Sequence, residues 1–437
     1  MRLTPAVLLL SLAVAAGTPS ASDAQTPPAR VFTAVPCPTA AWRMEDPVLT
    51  SVPGVTTRTG RYEGGLYAIE VPDNWNGDLI LYAHGQRELG SPQSLVLNVT
   101  VPALRRHWLE RGFAWAASSY RCNGTVYGIG LTDTLALRDL VVAATGGRAP
   151  RRTILVGHSL GGRITMLGIR EFPDVFAGGL AMCPVGPETW DARVAIAEAA
   201  AFITGIRPST DTLPQDLARM SAVLGTSPNY TAKGAQLASV QVALTGGPRP
   251  FALEGLTQRY LDNVRVGFAS APAEPLLAAG NLTATYAIAP GLGLTAETLN
   301  QAVRRRAPDT ALSAPTTPYR ELLPFDGALT RPLMTLHGTG DLQVFVSQEQ
   351  AFRRAVDTAG TNALFVQRLM RIPGHCQFSD AEEQRAFDDL VAWLDSGTRP
   401  PGDDVLGDLS DAGLTFTTPL RPGDPGNKTV RPPTTTP

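Results

Sequence analysis

Thr153-Ile154-Leu155-Val156-Gly157-His158-Ser159-Leu160-Gly161-Gly162-Arg163-Ile164 decides how this chain is organised. The short apolar run Thr153 to Val156 reads as a buried strand. Gly157 to Gly161 matches G-x-S-x-G, and a helix-like stretch from Arg163 to Arg170 follows. The five-residue pattern alone is a weak signal; a strand before it and a helix after it make it specific. A tight strand-to-helix turn lifts the serine hydroxyl above the sheet edge. Gly157 and Gly161 then stand where any side chain would collide with neighbouring backbone.

Working outward, Leu66 to Val71 alternates like a half-exposed strand, and similar short apolar runs recur at Leu79 to Ala83, Phe113 to Ser118, Gly179 to Cys183, Pro332 to Leu336 and Leu364 to Ile372. Glycine or polar residues end them, as in buried parallel strands. Amphipathic stretches such as Leu131 to Ala144 lie between. The last of these carries a capping box, Ser379 and Glu382, an apolar face of Phe387, Leu390, Val391 and Leu394, and a stop at Gly397. Alternating strands and helices predict an α/β fold with a parallel sheet covered on both faces.

One segment breaks the alternation. Residues 184–330 read as helices joined by Pro/Gly turns, at Ala192 to Phe202, Leu217 to Leu224, Phe251 to Val266 and Ala296 to Val303. The segment is expected to be a helical cap entered at the edge of the sheet that carries Ser159. Its few charges predict a mostly apolar wall, and a short linker in its place is expected to leave the serine and its partners intact. Arg304, Arg305 and Arg306 follow its last helix and suit a solvated C-terminal turn, or else an anion-binding rim.

A serine needs a base to take its proton. The five histidines are His84, His107, His158, His337 and His375. His375 follows the last strand, from where it can lean back over Ser159. His158, inside the turn, should point away. His84 and His337 end strands, and His107 sits in a helical stretch. The base in turn needs an acid to fix its tautomer. Asp341 follows strand Pro332 to Leu336 and is the candidate; Asp326 precedes that strand, and Asp380 opens a helix whose dipole already explains it. Backbone N–H groups of Leu160 and Gln86 are the candidate oxyanion hole. Tyr120, in the loop after Phe113 to Ser118, is a candidate substrate contact.

Tyr82-Ala83-His84-Gly85-Gln86, Gly157 to Gly162, Leu336-His337-Gly338-Thr339-Gly340-Asp341 and Gly374-His375-Cys376 together resemble the α/β-hydrolase superfamily over about Gly65 to Gly397. The resemblance implies an α/β-hydrolase fold, a mostly parallel central sheet flanked by helices with an inserted helical cap. It also implies the chain order Ser159, Asp341, His375, and a serine esterase or lipase-like member acting through an acyl-enzyme without metal or organic cofactor. Serine at the turn argues against the aspartate-based dehalogenases and epoxide hydrolases. Gly374-His375-Cys376 also resembles tannase and feruloyl-esterase relatives, whose cysteine beside the serine pairs with one beside the histidine. Here His158 precedes Ser159, so that device is absent in its usual form and the subfamily is not assigned. An amidase or peptidase would use the same groups. A non-catalytic binding protein would have no need of Ser159, Asp341 and His375 together.

A net charge of −2 gives no footprint for nucleic acid. Arg2 and the apolar stretch Ala6 to Ala16, followed by Ser22-Asp23-Ala24, read as a signal peptide spanning 1–24. The expectation is a secreted chain, extracellular or periplasmic, with no later membrane span. The core is expected over 25–183 and 331–399, with a Pro/Gly/Thr-rich tail over 400–437. Its partner is then a small-molecule or polymeric ester. Cys37, Cys122, Cys183 and Cys376 suit two disulfides, with three connectivities open. Cys183 ends a strand near Ser159 and Cys376 adjoins His375. Pairing these two, and Cys37 with Cys122, is the expected arrangement.

Overall fold

Apolar runs become the sheet wherever both faces of a strand are covered. The computed structural model describes residues 35–424, apart from 88, 90, 91, 210 and 270–273. The expected signal peptide 1–24 and residues 425–437 of the tail lie outside the described residues. The sheet has eight strands: β1 (Val55–Tyr62), β2 (Gly65–Pro72), β3 (Asp78–Ala83), β4 (Ala114–Ser118), β5 (Arg152–His158), β6 (Gly178–Met182), β7 (Leu333–Gly338) and β8 (Phe365–Met370). Their spatial order is β1-β2-β4-β3-β5-β6-β7-β8. β3 to β8 run parallel, whereas β1 and β2 join antiparallel at one edge.

Successive residues of a strand point to opposite faces, and here both sets are apolar. Ile80, Ile154, Leu180 and Met334 meet Trp108 of helix α1 (Arg105–Glu110) and Phe387 and Leu390 of the C-terminal helix. Leu79, Leu155, Ala181 and Leu333 face the other way. They meet Leu137 of α2 (Tyr127–Ala144) and Met166 and Ile169 of α3 (Leu160–Glu171), with Phe352 beyond them. Each such leucine, isoleucine or phenylalanine contributes about 2 kcal/mol. β1 carries no apolar alternation because neither face of this edge strand is buried; its threonines and arginines gave no signal in the sequence.

Between β6 and β7 the chain forms α4 (Pro187–Thr204), α5 (Leu213–Leu224), α6 (Ala232–Leu244), α7 (Ala252–Phe268), α8 (Glu274–Leu277), α9 (Ala296–Ala302) and α10 (Thr310–Ser313). α6 was not read from the sequence; Thr231 caps it by accepting from Gly234 N–H. A two-residue antiparallel pair, Gly225–Thr226 with Asn229–Tyr230, corrects the expectation of a purely helical segment.

These helices are not a detachable lid. Ile196, Leu256 and Tyr260 bury Leu342 and Phe345, which follow Asp341 in the chain. The Arg249 Nε donates to Thr339 O at 2.5 Å and the Arg193 Nη2 to Gln343 O at 2.7 Å. A Cβ on Gly255 would lie 2.0 Å from Gly340 O. The loop that carries Asp341 is thus packed against α4 and α7, and these contacts argue against the expected linker replacement.

Helices α11 (Val346–Ala359) and α12 (Asp380–Ser396) complete the sheet's cover. In α12 the Ser379–Glu382 capping box is formed and Gly397 closes it in the left-handed conformation. The stretch 400–424 packs against β8. Asp403 N–H donates to Gln367 O at 2.7 Å, and the buried Arg371 guanidinium pairs with Asp424 at 2.7 Å. The turn after β5 is among the tightest points of the packing. A Cβ on Gly161 would stand 1.9 Å from Ala83 O, and one on Gly157 2.2 Å from Gly161 O. Because only backbone is available to move, Gly161→Ala should cost at least about 3 kcal/mol. Urea unfolding of the purified variant measures this; a loss below ~1 kcal/mol would show that the turn can relax.

Candidate active site

Ser159 sits at the crest of this turn with φ 56° and is the N-cap of α3. A left-handed non-glycine residue costs about 1–3 kcal/mol, here sustained by the rigid strand and helix on either side. Ser159 N–H donates to Met182 O at 2.8 Å, fixing the turn to β6. His375, after β8, places Nε2 2.8 Å from Ser159 Oγ, and its Nδ1 lies 2.6 Å from Asp341 Oδ2. Asp341 is fully buried after β7; its Oδ1 accepts from Gln343 N–H at 2.8 Å and Val344 N–H at 3.0 Å. Three residues from three loops therefore form one line at the carboxyl ends of β5, β7 and β8. The chain has the α/β-hydrolase fold.

Burial works to raise the Asp341 carboxyl. The charge and hydrogen bond of His375, then the charge of His337 and the Val344 N–H, outweigh it and hold the carboxyl below its ordinary range. His337 is also fully buried, its Nε2 3.8 Å from Asp341 Oδ2. Its Nδ1 lies 3.2 Å from Glu349 Oε1, and its Nε2 3.1 Å from Val344 O. Thr335 Oγ1 and Gln367 Nε2 both donate to Glu349 Oε2, at 2.7 and 2.6 Å. Burial works to lower the His337 imidazole, but Glu349, Asp341 and the Val344 carbonyl outweigh it and raise it. A buried Glu349–His337 pair thus stands behind Asp341, and sequence reading treated His337 only as a strand end.

The other histidines are occupied elsewhere. His158 points away from Ser159, with Nδ1 3.1 Å from Tyr82 Oη and Nε2 3.0 Å from Glu383 Oε1. His107 pairs with Asp388 at 2.8 Å. His84 is buried and pushed down to about 3, by desolvation first and then by the charge of Arg87. Its ring stacks on Tyr120 at 3.9 Å, and the Tyr120 hydroxyl donates to His84 O at 3.1 Å. Tyr120 is 1% exposed. It therefore braces the His84–Gln86 loop from behind, where the sequence had suggested a substrate contact. Gly85 brings that loop against the serine, since a Cβ there would lie 3.4 Å from Ser159 Cβ. Among the described residues, neither Leu160 N–H nor Gln86 N–H has a protein acceptor, so both remain free to donate to a substrate oxygen.

The rival acids lie elsewhere. Asp326 forms a two-pronged pair with Arg170 at 2.7 and 2.8 Å near the far end of α3, and Asp380 opens α12 in solvent. Cys183 is bonded to Cys376 and Cys37 to Cys122, with Cα separations of 5.7 and 5.9 Å. Cys183, His375 and Cys376 lie close together, but both sulfurs are spent in the disulfide and the group offers no thiolate to a metal.

A cavity of about 220 Å³ borders His375, and its lining includes Arg259, Gln343 and Gln377. This wall is polar where the sequence suggested an apolar one. None of Arg304 to Arg306 lines this cavity; Arg304 is exposed, as a solvated turn requires, whereas Arg305 and Arg306 are half-buried. Arg305 donates to Asn281 O and Ala284 O, and Arg306 to Gly267 O and Leu276 O. They tie the insertion's own loops together.

No family model matches the chain. A stretch of 122 residues, 28% of this chain, is 30% identical to o-phthalyl amidase of Xanthobacter agilis and spans 26% of that protein's length. Feruloyl esterase B of Aspergillus oryzae aligns over 78% of this chain and 80% of its own, at 16% identity and a TM-score of 0.44. The acylaminoacyl peptidase of Pyrococcus horikoshii aligns over 80% of this chain and 43% of its own, at 11% identity and a TM-score of 0.41. Among the described residues no helix is long and apolar enough to cross a membrane.

The raised His337 imidazole carries a pH signature. Stability from a protonated histidine is complete below its unfolded value of about 6.5 and is lost as pH rises through its folded value. Glu349→Gln should cost about 3 kcal/mol at pH 6, and the gap to wild type should shrink as pH rises through the raised value of His337. Urea unfolding across a pH series checks it; a gap independent of pH would show that His337 does not change protonation over that range. The Cys183–Cys376 bond joins the end of β6 to the His375 loop. Mild reduction should therefore lower activity before the near-ultraviolet dichroism of the core changes, and coincident loss of both would deny the bond a local role.

Proposed function

We propose that this chain is a secreted serine hydrolase that cleaves carboxylic esters through an acyl-enzyme. The observation that carries the reading is the continuous line from Asp341 through His375 to Ser159, with heavy-atom separations of 2.6 and 2.8 Å. In the first half-reaction Ser159 Oγ bonds to the substrate carbonyl carbon while His375 Nε2 takes the hydroxyl proton. The carbonyl oxygen becomes an oxyanion facing Leu160 N–H, at the positive end of α3, and Gln86 N–H. As the carbonyl reforms, the bond to the leaving oxygen breaks and His375 returns the proton to it. Water then repeats the sequence on the acyl-serine, releasing the acid and restoring Ser159. Asp341 stays ionised and steadies the imidazolium, consistent with a carboxyl held below its ordinary range.

The likeness to o-phthalyl amidase favours a second reading, amide cleavage on the same groups. Matched ester and anilide substrates separate the two. Two disulfides fit an oxidising compartment, as the expected signal peptide does. The helices of 184–330 are proposed to bound the substrate site as well as to support the Asp341 loop.

Ser159→Ala should lower turnover by about 10⁴-fold or more without unfolding the chain, and it should abolish labelling by a fluorophosphonate. His375→Ala should do similar damage, and Asp341→Asn should cost about 10⁴-fold. Asp326→Asn, which breaks only a surface pair, should stay within about twofold. Near-normal turnover in Ser159→Ala would remove the mechanism.

A further inference from the structure

The polar cavity beside His375 lies between α7 and the loops that follow β7 and β8. Four of its lining residues can meet a ligand's polar atoms: Arg259, Gln343, Gln377 and His375 itself. Leu342 and Pro373 add apolar surface, and no lining residue is a carboxylate. Arg259 donates Nη1 to Asp262 Oδ2 at 3.0 Å and Nη2 to the Gln343 side-chain oxygen. Its guanidinium keeps further N–H donors in reserve. Asp262 also accepts from Arg265, at 2.9 and 2.6 Å, so two guanidinium groups share one carboxylate and a positive charge is left over. Because Arg259 occupies the Gln343 oxygen, Gln343 presents its NH₂ group. That group and the Gln377 amide have no partner among the described residues. A half-enclosed site rich in donors, positively charged and free of acids suits an oxyanion.

We propose that this cavity is the leaving-group subsite and that it selects leaving groups bearing a carboxylate, with Arg259 as the specificity-determining residue. The inference rests on the serine-hydrolase reading and names its substrate class. The side follows from the chemistry. The acyl oxygen must face Leu160 and Gln86, whereas the leaving group must depart past His375 Nε2, which protonates it. Among these groups His375 alone lines the cavity. The size fits one small group, since an apolar cavity of about 150 Å³ accepts a benzene ring. A carboxyphenyl or short carboxyalkyl group would place its carboxylate against Arg259 and the two amides, with its apolar part on Leu342 and Pro373.

The test uses benzoyl esters of 4-hydroxybenzoate and of 4-hydroxybenzamide, which have similar shape and differ in charge. Wild type should favour the carboxylate ester by about tenfold or more in kcat/KM, chiefly through KM. High salt should reduce this preference. Arg259→Gln should reduce the carboxylate ester at least about tenfold more than the neutral one, and Arg259→Lys should restore part of the preference. Equal or reversed selectivity in wild type overturns the proposal without any need for the variant to fold. A preference that survives in Arg259→Gln overturns the assignment of Arg259. If wild type cleaves neither ester faster than Ser159→Ala does, the hydrolase reading itself fails and the subsite falls with it.

Discussion

The close approach of Gly161 to the Ala83 carbonyl governs the rest of the structure. It lets the turn after β5 close at the sheet edge, with Ser159 held in a left-handed conformation at its crest. A methyl group at that point would push β3 and α3 apart, and with them the His84–Gln86 loop that ends β3. The oxyanion-facing N–H groups and the serine hydroxyl are therefore placed by one backbone contact. Their relative geometry is set by packing that cannot drift without opening the parallel sheet between β3 and β5.

From that fixed point the other groups arrive by different means. His375 is joined through Cys376 to Cys183 at the end of β6, so a covalent bond limits how far its loop can move. The Asp341 loop has no such bond. It is held by Arg193 of α4 and Arg249 of the loop before α7, by close backbone packing at Gly255, and by burial of Leu342 and Phe345. The insertion thus has two roles that are physically inseparable: one face supports the acid, and Arg259 on the same helix α7 borders the cavity. A change in the insertion that alters what the cavity accepts also bears on the support of the acid.

The electrostatics follow the same economy. A carboxylate without solvent is costly unless it is paired and hydrogen-bonded. Asp341 meets that cost with two backbone N–H groups, His375 and the nearby His337, and Glu349 balances His337 in turn. In this buried row Asp341 lies between two imidazoles that favour its ionised form, and Asp341 and Glu349 both favour the protonated form of His337. His84 lies outside the row and is neutral, because desolvation and Arg87 both oppose a proton there.

Much of the frame was legible in the chain alone. The apolar runs located the parallel strands of the central sheet, since a strand buried on both faces leaves an unbroken local pattern; the short parallel pair of Arg43–Met44 with Val96–Leu97 left none. The glycines around Ser159, the capping box of α12, and the positions of Asp341 and His375 after successive strands were equally local. The Cys183–Cys376 pair followed from which chain ends share one edge of the sheet, and Cys37–Cys122 was the pair that remained. What tertiary structure decided were contacts whose partners lie far apart in sequence. Tyr120 proved to brace His84, Arg193 and Arg249 to hold the acid loop, Arg259 to border the cavity, and His337 to stand with Glu349 behind Asp341. Edge strand β1 escaped notice because neither of its faces is buried, so no apolar alternation marks it. A buried polar group is stable only with a partner, and where that partner stands depends on how distant elements pack. Periodicity records burial; it does not record which polar groups meet.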